Sequence, residues 1–556
     1  MAFSLTLLLL CPPTVDTQQF VTHRTSLDSA GQEGVGASLN PSISDDGRHL
    51  AFQSTAPLAP LASGFTDVYV RDRIDGTTTL ISMGAGGVAA NSFSSDAHLS
   101  ASGRFVTFSS SASNLVSGDT NGFDDIFLVD RDPDVNGIFD EGNSTTQRVS
   151  ITTGAVEASA PCTSPVISAD GNWVCFASLA NNLVASDANN VGDVFAWSRA
   201  DGSIRLISLN SAGGQGSGSS GVSAISFDGR FVAFESLAPN LVAGDSNGAR
   251  DIFLRDRDPD QDGFFDDLNS ITIRVSVSSA GQQANADCNT PDISDDGQVI
   301  AFQSAASNLT AGANNGIAQV FARVLASSRT ELLSRAQGGQ PGNGVSAFPA
   351  VSADGTVIAF ESRATNLVAG DTNGWDDIFR VDLISIALTR ASLSVPGMQS
   401  TLYSQRPSLS HDGLEITFQS PADDLVALDT NQSFDVFVRS AGSWSPQLLL
   451  DPLVRGQTTS AKVCNTTPSE IVFLAYSVAG LGAGPCPPPL GGLCLDILAP
   501  KLLSSQSANS LGSANFSALI PATTPLILIY VQAVVARGPG GSLSVKSNVV
   551  TEIVQP

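Results

Sequence analysis

Lysine is missing from the first 461 residues of this 556-residue chain; Lys462 is the first. Arginine therefore carries the permanent positive charge of that stretch, within a chain of formal net charge −26 and pI near 4.3. Such a balance excludes binding to a nucleic-acid backbone, which needs a basic surface. It suits divalent cations, a basic partner, or solubility outside the cell. Histidine is scarce too: His23, His49, His98 and His411 stand at unrelated positions, as expected of surface or turn residues. The sequence has no G-x-S-x-G elbow, no H-E-x-x-H and no phosphate-cradling loop. No run reaches the ~18 apolar residues of a membrane span. With 42% hydrophobic residues, disorder is excluded.

What the chain has instead is a repeat. Asp-Gly turns (Ser-Gly in the second unit) recur at Gly47, Gly103, Gly171, Gly229, Gly297, Gly355 and Gly413, spaced 56, 68, 58, 68, 58 and 58 residues. A near-fixed period of this size marks a repeat architecture. Residues 349–382, PAVSADGTVIAFESRATNLVAGDTNGWDDIFRVD, are the cleanest copy: two apolar strands about the turn, a polar loop, and a third strand opening Asp-Ile-Phe. Period-two alternation bounded by Gly, Asn and Asp reads as strand, and Gly supplies the positive φ of the tight turn. Fourth strands follow at Arg148–Ser150, Arg274–Ser276 and Arg390–Ser392, with looser versions in other units. Four antiparallel strands in each of seven units predict an all-β, seven-bladed β-propeller over residues 21–450.

SADGTVIAFES and DTNGWDDIF resemble the WD-like repeats of TolB-type propeller proteins, over about residues 21–450. The resemblance implies the fold and leaves the function open, since that family includes binding scaffolds, periplasmic partners and peptidase-associated domains.

Residues 24–43 match the junctions between later units, while Ser443–Leu450 fits the fourth-strand pattern poorly. Thr22–Ser26 is therefore expected to complete the last blade, clasping the ring with both ends of the repeat region. Ahead of it, Leu5–Leu10 and Cys11 in residues 1–20 read as an export signal or leader remnant. Beyond 453, strand-like runs at Ile471–Tyr476, Leu495–Ile497, Phe516–Ile520, Leu526–Ala536 and Ser547–Val554 predict a C-terminal β-sandwich over 453–556.

The two 68-residue spacings come from inserted Asp-rich loops. Asp132, Asp134, Asn136 and Asp140 occupy positions 1, 3, 5 and 9 of one, with Gly137 at position 6; Asp258, Asp260, Asp262 and Asp266, with Gly263, repeat the pattern. Hard oxygens at this spacing form the front of a calcium loop. Position 12 is Asn143 or Asn269 in place of Glu, so weak structural calcium sites are expected, of roughly 10⁻⁴–10⁻³ M affinity. The commoner loop, Asp119–Asp125 and its copies at Asp245–Asp251 and Asp371–Asp377, is expected to be a turn held by its own side chains. Asp193, Asp251, Asp377 and Asp435 are expected to lock neighbouring strands by hydrogen bonds.

Cysteines number seven. Cys162 and Cys288 share a repeat position two blades apart, too far for a bridge; Cys175 reads as a small core residue. Cys486 and Cys494 bracket a loop where a disulfide is possible outside the cytoplasm. Alternating connections put the Asp-Gly turns and calcium-like loops on one face of the disc. The polar second-to-third loops and inter-blade loops lie on the other, where a protein or glycan ligand is expected. The expected protein is an exported, monomeric, non-enzymatic binding or scaffolding propeller of the periplasm, cell surface or medium. A hydrolase or lyase with its site in the channel, and a structural envelope component, are the alternatives.

Overall fold

The computed structural model describes residues 21–440, apart from 85, 268, 312–315, 395–396 and 428, together with strands between 447 and 553. Two compact units emerge, Phe20–Ser440 and a second containing Ala441–Pro556. Every regular element described is a strand, so no helix among these residues is long and apolar enough to cross a membrane.

The first unit is a seven-bladed propeller, each blade a four-stranded antiparallel sheet. Blade 6 shows the plan: Ser346–Val351 innermost, then Val357–Ser362, Asp377–Asp382 and Leu388–Arg390 outermost. The two middle strands are buried on both faces, as stacking between neighbouring blades demands. Each blade stacks one aromatic pair across these strands. Phe52–Tyr69, Phe108–Phe127, Phe176–Phe195, Phe234–Phe253, Phe302–Phe321, Phe360–Phe379 and Phe418–Phe437 have ring centroids 5.7–6.0 Å apart. Such pairs contribute about 0.5–1.5 kcal/mol each beyond the area they bury.

A polar clamp repeats beside each pair. The Asp that opens the third strand accepts a hydrogen bond from a Ser just after the fourth: Ser150 to Asp125 (2.5 Å), Ser276 to Asp251 (2.5 Å), Ser392 to Asp377 (2.6 Å), and Ser208 to Asp193. Blade 5 has Gln319 instead, whose Oε1 accepts from Ser334 at 2.6 Å. These are the internal locks expected of Asp193, Asp251, Asp377 and Asp435. Arginine completes the clamp: Arg148 lies 3.2 Å from both Asp119 and Asp125, and Arg274 lies 3.2 and 3.5 Å from Asp245 and Asp251. The Asp119-type loop is thus a structural ion-pair turn.

The ring closes as the repeat offset predicts. Val21–Arg24 pairs antiparallel with Asp435–Ser440 as the fourth strand of blade 7. Ser26 donates to Asp435 at 2.5 Å and Arg24 reaches Asp429 at 3.1 Å, so the chain's two distant segments rebuild the clamp of the other blades.

Cys162, Cys175 and Cys288 are free and buried, and burial pushes each thiol up to about 12. Cys162 and Cys288 lie against Ser178 and Ser304, where blades 1 and 6 pair Ser38 with Ser54 and Ser346 with Ser362. They are sulfur versions of a repeated hydroxyl contact.

Beyond 440, Gln447–Leu450, Thr458–Cys464 and Ala514–Leu519 form one antiparallel sheet. Lys501–Ser507, Ile471–Ser477, Leu528–Ala536, Val545–Lys546 and Val550–Ile553 form another. Gln447–Leu450 thus pairs within this second unit and not with blade 7. The leader, Cys11, Cys486, Cys494 and the expected strand Leu495–Ile497 lie outside the described residues.

Candidate binding channel

The seven innermost strands line a central channel of about 600 Å³. Five of them carry Pro at the fourth position (Pro41, Pro165, Pro291, Pro349, Pro407), and each strand's register against its partner shifts there. Such β-bulges bend a strand and re-aim a side chain. The residue before the shift is left-handed in six blades: Asn40, Asp96, Ser164, Thr290, Phe348 and Arg406, with φ of 47–55°. The seventh, Val222, follows Gly221. For β-branched or aromatic side chains this conformation costs about 1 kcal/mol or more, so the surroundings must impose it.

In four of these blades a bond from the preceding blade holds it. Gln53 Oε1 accepts the Asp96 N–H (2.9 Å), Glu235 that of Thr290 (3.1 Å), Glu361 that of Arg406 (2.9 Å), and Gln419 that of Asn40 (2.7 Å). Four of the left-handed residues are therefore also blade-to-blade contacts. The ring of bulges lies toward the face of the inter-blade loops and presents seven chemically different side chains to the channel. Arg406 stacks on Phe348, its guanidinium carbon 3.7 Å from the ring centroid. Burial pushes Glu361 up to about 7 and raises Asp96 as well.

Deeper in the channel stand Ser42, His98, Val166, Ala224, Asp292, Ala350 and Ser408. Burial pushes His98 down to about 4 and its enclosed Nδ1 has no hydrogen-bond partner. Burial pushes Asp292 up to about 6, and its carboxylate accepts the Val351 N–H at 2.6 Å. Alanine, serine, threonine and proline make up about half of the lining, with Val, Ile and Leu most of the rest.

The Asp-Gly end is ringed by main-chain hydrogen bonds. The residue two before each turn glycine bonds backbone to backbone with its neighbours: Asp45 N–H to Ala101, Ala101 to Ala169, Phe227 to Asp295, Asp295 to Ala353 and His411 to Asp45, all 2.9–3.0 Å. The turns of blades 3 and 6 extend this ring through Asp170 and Asp354. It brings together Asp45, Asp295 and His411, with His411 Nδ1 3.3 Å from Asp45 Oδ2 and 4.0 Å from Asp295 Oδ2. Sequence reading missed this group. Its signal was the shared repeat position of 45, 295 and 411, which carries meaning only once that position is known to face the axis.

Two histidines depart from the surface or turn expectation. His49 is buried, its ring 5.1 Å from that of Phe139 and its Nε2 3.5 Å from Asp72. His98 lies in the channel. Both sit on strands, one on the blade interior and one on the axis.

The calcium-like loops are the tips of long third-to-fourth-strand hairpins. In one, Asp132 accepts the Asn136 and Gly137 N–H groups at 3.0 Å, and Asp134 accepts from the Asn136 amide. In the other, Asp258 accepts from Asp262 and Gly263, and oxygens of Asp258, Asp260 and Asp262 lie within 4.8 Å of one another. The position-9 residues face inward: Asp140 pairs with Arg131 at 2.5 Å and Asp266 with Arg257 at 2.6 Å. Arg257 is fully buried, its guanidinium 3.9 Å from the Trp173 ring and 4.9 Å from that of Phe265, and these two rings stack 5.4 Å apart, which pins this hairpin to blade 3. Arg131 over Phe139 repeats the arrangement against blade 1.

No protein-family model and no curated protein matches this sequence. Solved structures that are similar include a TolB-type protein of Agrobacterium tumefaciens, at 14% identity and TM-score 0.31, covering 68% of this chain and 94% of that one. The periplasmic gluconolactonase PpgL of Pseudomonas aeruginosa is similar at 16% identity and TM-score 0.33, covering 87% and 99%. The Dos1 propeller is similar at 10% identity and TM-score 0.38, covering 76% and 95%. The fold rests on the sheet pairings described above, and these likenesses add no functional argument to it.

Proposed function

We propose that this is an exported, non-catalytic propeller that binds a protein or glycan segment at the loop-bearing mouth of its channel. One observation carries the reading. Seven bulges, four of them held by blade-to-blade bonds, bring Asn40, Asp96, Ser164, Val222, Thr290, Phe348 and Arg406 to one channel. Backbone strain held in place on a rigid scaffold is typical of recognition sites. A lining about half serine, threonine, proline and alanine suits recognition better than bond-breaking. In the same reading the hairpin tips at Asp132–Asp140 and Asp258–Asp266 take calcium weakly and structurally. The second tip is the better match, because three of its carboxylates converge. Asp140 and Asp266 then serve the arginine anchors, and the metal's ligands are the outer residues of each loop.

A channel hydrolase or lyase is the second reading. One observation favours it: His98, whose Nδ1 has no hydrogen-bond partner, and a carboxyl raised to about 6, Asp292, line the same channel. Screening wild-type protein and the Asp96→Ala/Arg406→Ala variant against glycan and peptide arrays tests the binding reading. Ligands captured by wild type and lost in the variant, with the melting temperature kept, support it. Captured ligands indifferent to both substitutions, or turnover abolished by His98→Ala, contradict it.

A further inference from the structure

The Asp-Gly end of the channel holds a group of different chemistry. Asp45, Asp295 and His411 come from blades 1, 5 and 7, each following an innermost strand, and converge within 4.8 Å. We propose that they form a site for a divalent transition metal on the propeller axis, with zinc the best match.

Geometry comes first. Tetrahedral zinc with N and O ligands at ~2.0–2.1 Å sets neighbouring ligand atoms about 3.3 Å apart. The His411 Nδ1 to Asp45 Oδ2 distance is 3.3 Å, and the 4.0 Å to Asp295 Oδ2 closes with a small side-chain rotation. The backbone bonds among residues 45, 295, 353 and 411 fix the positions from which the three side chains start. The side chains are 25–41% exposed, so an ion can reach them and a water can fill the fourth position.

Charge is the second, independent argument. In the third-strand clamps of blades 2, 4, 6 and 7 the acidic groups have an arginine built in: Arg24 for Asp429 and Asp435, Arg148 for Asp119 and Asp125, Arg274 for Asp245 and Asp251, Arg390 for Asp377. Among the described residues no arginine is in ion-pair range of Asp45 or Asp295. Their one cationic neighbour is the imidazole. Around them the turn residues Asp46, Asp170, Asp228, Asp296, Asp354 and Asp412 form an acidic rim. A like-charged rim raises the local concentration of cations. The axial acids thus lack the counter-ion that these clamps have.

Ligand type decides the metal. Imidazole nitrogen suits zinc, nickel and copper, whereas calcium takes oxygen donors only. The site therefore differs in kind from the hairpin tips.

The test uses the full chain, metal-stripped and with accessible thiols alkylated so that cysteine cannot bind metal. Titration with zinc is followed by calorimetry, and titration with cobalt(II) by visible d–d absorption. One equivalent is expected to bind, with a cobalt spectrum of low coordination number. His411→Ala and Asp295→Asn should each abolish saturable binding, with melting in chelator confirming that both fold. Asp260→Ala/Asp262→Ala should leave zinc binding intact. Zinc binding unchanged in His411→Ala would overturn the proposal. So would no binding to wild type, which would make His411 only an imidazolium partner of the two aspartates.

Discussion

At the scale of single residues, most of the acidic character of the propeller is internal architecture. Asp125 is fully buried, bonded to Ser150 and paired with Arg148, and Asp251 and Asp377 repeat it. Removing Asp125 leaves Arg148 its pairs with Asp119 and Glu157 but deprives the buried Ser150 hydroxyl of its acceptor, at about 1–3 kcal/mol. Asp125→Ala is accordingly expected to lower the midpoint of chemical denaturation far more than Asp134→Ala on the exposed tip. Equal small effects would mean that the clamp contributes little. Cys288 makes the complementary case. Its sulfur stands where blade 6 has Ser346 against Ser362, so Cys288→Ser should cost less than about 1 kcal/mol, read from the same denaturation curve. These roles were half legible in the sequence. Repetition showed that the aspartates were structural, but which Ser and Arg answered them depended on a register the pattern does not print.

The hairpins and bulges belong to the scale of elements. The hairpin following Asp256 is held by the stack of Trp173, Arg257 and Phe265. Phe265→Ala removes an aromatic contact and a cation–π contact, together worth about 1–3 kcal/mol. Faster hydrogen exchange is expected in Asp256–Ile271 and in no other hairpin; unchanged exchange there would show that the stack is incidental. Calcium at millimolar concentration should slow exchange at the same tip, and Asp260→Ala/Asp262→Ala should remove that effect. The sequence located the Asp-rich loops and their spacing correctly. It could not show that Asp140 and Asp266 turn inward to Arg131 and Arg257, because a nine-residue spacing looks alike whether its last carboxylate meets a metal or a guanidinium. The bulges were invisible for a related reason: a Pro in a strand announces an irregularity, not its direction.

Across the whole molecule, closure and charge set the behaviour. The blade count and the clasp were readable because the turn glycines keep their period and residues 24–43 repeat a later junction. The axial group was not, since three residues at least 116 positions apart in the chain meet only through the ring's curvature. Burial pushes Asp292 and Asp377 up to about 6 and Glu361 up to about 7, above the usual ~4 of an unfolded carboxyl. Between pH ~4 and ~7 the folded chain therefore holds protons that the unfolded chain has released. Stability should fall as pH rises through that window. Melting is expected at a higher temperature at pH ~5 than at pH ~8, and the reverse order would show that these carboxyls ionise freely when folded.

The most direct test of the binding reading is photo-crosslinking in cells of the source organism. A benzophenone amino acid at Val222, in the channel mouth, is compared with one at Ile384, an exposed turn on the opposite face. The account predicts one defined adduct from position 222, competed by the isolated ligand, and none from position 384. Adducts from position 384 alone, or the same products from both, would contradict it.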